Sequence, residues 1–69
     1  MAQVSRTTRI GELLQIFPGS ERILMSIGMH CLSWPSSQME SLEEAAMVHG
    51  IDADLLVEKL NASIKAAGL

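Results

Sequence analysis

The chain carries a single cysteine, Cys31, which excludes an intramolecular disulfide. It has one phenylalanine, Phe17, one tryptophan, Trp34, and no tyrosine, so aromatic packing cannot dominate its core. Lysine and arginine are scarce, five against eight acidic residues, for a formal charge of −3. That balance argues against nucleic acid and anionic membrane surfaces as partners, because both call for a basic patch. Arg6 and Arg9 are the only close basic pair. No apolar run reaches the roughly 18 residues of a membrane span. The opening MAQVSRTTRI lacks the apolar stretch of a secretory signal, so a reducing cytoplasm is the expected location of the lone thiol. Gly-x-Gly-x-x-Gly and Walker loops are absent, which removes the common phosphate-binding readings.

What is present is enough for one small domain. Of the 69 residues, 48% are hydrophobic, mostly Leu, Ile, Ala and Met. A chain of this size buries only about 60% of its unfolded surface. Small domains often rely on disulfides or metals as staples. Here apolar packing must hold the fold, with self-association as a further source of burial. The five methionines offer an adaptable surface, but Met25, Met29, Met39 and Met47 are spread through the middle of the chain and read as core filling.

Hydrophobic periodicity predicts helices. Residues 1–7 are polar and unpatterned and read as a flexible lead-in to a single domain over 8–69. Ile10, Leu13, Leu14 and Phe17 form one helical face, with Thr8 as its expected N-cap and Pro18-Gly19 as its stop. Ser20 is the expected cap of a second helix with the stripe Ile23, Leu24, Ile27, closed by a left-handed Gly28. A short turn is expected to run from Pro35 toward Met39. Ser41-Leu42-Glu43-Glu44 reads as a capping box. The helix that follows places Leu42, Ala45, Ala46 and His49 on one face and ends at Gly50. Asp52 caps the last helix, whose inner face is Leu56, Leu60 and Ile64, flanked by Leu55, Val57 and Ala67. No segment alternates like a strand. The expected fold is all-α, a compact bundle of about four short helices, with the Cys31 loop between the second and third.

The loop "GMHCLSWPSS" holds the candidate chemistry: Gly28, His30, Cys31, Trp34 and Pro35. Gly28 and Pro35 are accounted for by backbone geometry. Cys31 is either a working thiol or an ordinary buried one. Cys31, His30 and His49 are too few for a structural zinc site, which takes four ligands, so no metal and no cofactor are expected. Ser36, Ser37 and Ser41 read as turn and cap residues, and Glu43 and Glu44 as a solvated capping pair rather than acid–base catalysts. Trp34 either folds over the core or stands out as an anchor for a partner.

The stretch from Thr8 to Asn61 resembles the hybrid-cluster-protein-associated redox disulfide domain. The matching features are Pro18, GMHC at 28–31, Pro35, SLEEAA at 41–46, HGID at 49–52 and LLVEKLN at 55–61. The resemblance implies an all-helical fold with a Cys-x-x-Cys-Pro motif between the second and third helices, and thiol–disulfide chemistry. Cys31 matches the first cysteine and Pro35 the proline. Trp34 stands where the second cysteine would be. A dithiol needs a second thiol to resolve the mixed disulfide, so a self-contained cycle is excluded. The expectation is a non-enzymatic helical module that binds a redox protein, a metalloprotein or itself. The alternative is a monothiol accessory domain forming mixed or intermolecular disulfides through Cys31.

Overall fold

In the computed structural model, residues 2–29 and 35–69 are described. Among them are five helices: α1 (Ile10–Ile16), α2 (Ser20–Ser26), α3 (Pro35–Gln38), α4 (Leu42–Val48) and α5 (Ala53–Ala66). The all-α expectation holds, and the turn expected from Pro35 is the one-turn helix α3. Ile10, Leu13, Leu24, Leu42, Ala45, Ala46, Leu60 and Ile64 are fully buried, with Leu56 nearly so. These are the residues at helical spacing on the predicted inner faces. Helix α4 packs on α5, α2 on α5, and α1 on both α2 and α3.

The first backbone N–H groups of a helix have no partner within it. In α1 the first of them, and in α4 the first two, donate to the other helix's lead-in segment. Ile10 donates to the Glu40 carbonyl at 2.9 Å, Leu42 to the Thr8 carbonyl at 2.9 Å, and Glu43 to the Arg6 carbonyl at 3.0 Å. Residues 6–10 and 40–43 therefore cross as an antiparallel pair, centred on an isolated bridge between Arg9 and Ser41. Side chains reinforce the crossing. Arg9 Nη1 donates to the Met39 carbonyl at 2.6 Å, and Arg6 pairs with Glu43 at 2.6 Å and Asp54 at 3.4 Å.

This crossing displaces Thr8 from the capping role its sequence position suggested. Arg9 is the N-cap of α1 and makes no side-chain cap bond. Thr8 is buried; its hydroxyl accepts from Ser5 N–H at 2.9 Å and its carbonyl serves α4. Ser20 is displaced as well. The turn 17–20 leaves Gly19 in helical conformation, so Gly19 is the N-cap and Ser20 is already the first helical residue. Its hydroxyl is fully buried and lacks a hydrogen-bond partner.

The predicted capping box is present. Glu44 N–H donates to Ser41 Oγ at 3.1 Å, and Ser41 N–H donates to Glu44 Oε1 at 3.0 Å. The Ser41 backbone N–H, with its hydroxyl and Arg9 adding, holds the Glu44 carboxyl below the usual carboxylate range against a smaller opposing effect of burial. Asp52 caps α5 as expected, accepting from Asp54 and Leu55 N–H at 2.9 and 3.2 Å.

The lead-in segment carries a core residue. Val4 is buried, and Asn61 on α5 brackets its backbone: Val4 N–H donates to Asn61 Oδ1 at 2.7 Å, and Asn61 Nδ2 donates to the Val4 carbonyl at 3.0 Å. Ala2 N–H reaches the Leu69 carbonyl at 2.9 Å, tying the two ends of the chain together. A lone valine among polar residues has no periodicity, and the contact spans 57 positions, so local pattern could not reveal it.

Three outcomes follow. Asn61→Ala leaves both Val4 backbone groups unpaired and is expected to cost about 1–3 kcal/mol in urea denaturation. Ser20→Ala removes a buried, unpartnered hydroxyl and is expected to raise stability by on the order of 1 kcal/mol. Glu44 titrates at a lowered value in the folded chain, so its contribution is present above the ordinary carboxylate value of 4.5 and is lost as pH falls through the lowered one. The stability advantage of the native chain over Glu44→Gln, read as urea midpoints across that range, is therefore expected to shrink on acidification.

Candidate functional site

The motif loop is held at both ends. On its N-terminal side α2 finishes in a Schellman turn: Gly28 N–H donates to the Met25 carbonyl and Met29 N–H to the Leu24 carbonyl, both at 3.1 Å. Gly28 has φ +95°, a region that L side chains rarely adopt, which explains a glycine here. Met29, the next residue, is buried in the core and anchors the chain just before His30.

On the C-terminal side Pro35 is the first residue of α3 and is exposed. Proline suits that position because its ring sets φ for the helix and the missing N–H would have no intrahelical partner. Helix α3 lies close against α1. A Cβ added at Gly11 would sit 3.2 Å from the Gln38 carbonyl oxygen, so a side chain there would press the two helices apart. The expectations attached to His30, Cys31 and Trp34 lie outside the described residues.

The other candidate groups have structural roles or none. Glu44 completes the Ser41 cap as expected, while Glu43, expected to be a solvated capping residue, pairs with Arg6 from 37 positions away. His49 is the C-cap of α4 and is exposed, turned out from the Leu42–Ala45–Ala46 face on which the pattern placed it. Among the described residues no three His, Cys, Asp or Glu side chains group as metal ligands, and no helix is long and apolar enough to cross a membrane. A shallow cavity of about 260 Å³ lies between the lead-in and α5, lined by Ala2, Gln3, Asn61, Ala62 and Lys65. Asn61, one of its polar lining groups, is committed to the Val4 backbone.

The methionines correct a sequence expectation. Met29 fills the core, whereas Met25, Met39 and Met47 are 46%, 66% and 75% exposed. Val48 and Leu55 are exposed too, at 74% and 63%. The reason is angular. The inward stripe of α4 is already complete with Leu42, Ala45 and Ala46, and successive helical residues turn about 100°, which sends Met47 and Val48 outward. That signal was legible in the spacing.

Comparison with known proteins gives a family and a close structural likeness. No curated protein matches the chain. An NMR solution structure of a Clostridium thermocellum protein, a structural-genomics target, is similar at a TM-score of 0.82 and 42% sequence identity, over 97% of this chain and 96% of that one. The family described as Domain of unknown function (DUF1858) matches residues 5–57. With most of its length inside that match and the helical fold to go with it, the chain belongs to the DUF1858 family.

Proposed function

We propose that this chain is a non-enzymatic protein-interaction module of the cytoplasm, related to the hybrid-cluster-associated redox domain but without its dithiol chemistry. One observation carries the reading: Cys31 is the only thiol, and Trp34 occupies the position of a resolving cysteine. When a thiolate attacks a partner's disulfide, one sulfur of that disulfide leaves as thiolate and a mixed disulfide forms. Release then needs a second thiol, which this chain lacks. The loop nevertheless runs between fixed points, with buried Met29 on one side and α3 on the other. An anchored loop without a second thiol fits recognition better than turnover.

A second reading is favoured by the retained Cys31 and Pro35. A monothiol accessory domain would form mixed disulfides with a partner, or link two chains, and depend on an external thiol for release.

The test is a titration of the isotopically labelled chain with thiol oxidoreductases and a hybrid-cluster protein, followed by amide shifts under reducing conditions, with sedimentation of the chain alone. Shifts confined to one face, or self-association, are expected. A spectrum unmoved by every partner from a strictly monomeric chain overturns the proposal. Rapid alkylation of Cys31 together with disulfide-linked species on a non-reducing gel would move the assignment to the monothiol reading.

A further inference from the structure

We propose that the turn end of the α4–α5 hairpin is a docking surface for a basic amphipathic helix of a partner protein. This rests on the interaction-module reading and assigns it a surface and a partner chemistry.

Met47 and Val48 are the last residues of α4, and Leu55 lies in the first turn of α5. Only residues 49–52 separate the two helices, which pack on each other. Three large apolar side chains, each more than 60% exposed, are thus carried at one end of a single hairpin. None is needed inside, because the inner faces are complete with Leu42, Ala45 and Ala46 on α4 and Leu56, Leu60 and Ile64 on α5. An isolated exposed Leu is ordinary, but exposed apolar groups gathered at one place with a polar surround are characteristic of binding surfaces. A flexible, polarizable methionine suits such a surface.

The charge pattern selects the occupant. Glu43 and Glu44 lie in the first turn of α4, Asp52 in the connecting turn, and Asp54 and Glu58 on α5, where Lys59 is the only lysine or arginine between Ile23 and Ile64. Arg6, paired with Glu43 and Asp54, and Lys59 together set two positive charges against these five carboxylates, which leaves the hairpin net acidic. A second copy would bring two acidic rims together, and an anionic bilayer would be repelled. A helix with an apolar stripe flanked by Lys and Arg meets both features, supplying anchors for Met47, Val48 and Leu55 and opposite charge for the rim.

The experiment titrates the labelled full chain with a synthetic amphipathic helix of about 14 leucine and lysine residues. Two controls are a peptide of the same composition in scrambled order and a leucine–glutamate helix. Amide shifts are expected at Met47, Val48 and Leu55, with little response to either control and weaker binding as salt rises. The double variant Met47→Ser/Leu55→Ser changes exposed positions only; it should keep the native helical signal and urea midpoint while losing about tenfold or more in affinity. Equal binding of the scrambled peptide, shifts centred elsewhere, or an unchanged affinity of the double variant overturns the proposal. So does a dimer of the chain alone that the same variant dissociates, or flotation with phosphatidylserine vesicles that it abolishes. If oxidoreductase partners shift a different face while this peptide fails, the surface assignment falls and the module reading stands.

Discussion

The crossing of residues 6–10 with 40–43 is the constraint on which the rest of this fold depends. Each of its backbone hydrogen bonds satisfies a helix-start N–H that would otherwise lack a partner: Ile10 on α1, and Leu42 and Glu43 on α4. Two short helices far apart in sequence thereby share one capping arrangement. With α4 positioned, the Ser41–Glu44 box completes its first turn, and the small residues Ala45 and Ala46 lie buried at the contact with α5. Helix α5 in turn holds the lead-in through Asn61. A domain with no intramolecular disulfide uses backbone reciprocity to bring its helices together.

Helix termination is handled by one repeated device. The ends of α2 and α4 each place a glycine at positive φ and return two N–H groups to the last turn; Ile51 N–H, for example, donates to the Ala46 carbonyl at 2.8 Å. In both cases the next residue turns back toward the core, as Met29 and Ile51 do. Helices of seven residues have little intrinsic stability. Tight, satisfied ends let them pack without long connections. The motif loop begins at one such end, so its N-terminal anchor is part of the core itself.

Charge is distributed as unevenly as the apolar surface. Arg6 and Arg9 turn back onto the crossing, where Arg6 meets carboxylates and Arg9 a carbonyl. The exposed arginine–carboxylate pairs contribute little to stability individually. Through Glu43 and Asp54, Arg6 links the starts of α4 and α5, the hairpin that also carries the exposed Met47, Val48 and Leu55.

By itself the sequence determined the helices, because their signals are local: period-3.6 stripes, the Ser41–Glu44 box, Asp52 as a cap, and glycine or proline at the ends. It also determined that no dithiol cycle can run within this chain, since that needs only a count of cysteines. The tertiary structure decided what depends on distant partners. Thr8 and Ser20 have the chemistry of caps, yet a cap is defined by where the helix starts, and the crossing and the turn at 17–20 moved both starts by a residue. Val4 and Asn61 met because the chain ends converge. Met29 is in the core because the turn closing α2 directs it there, whereas the outward position of Met47 followed already from the stripe Leu42, Ala45 and Ala46.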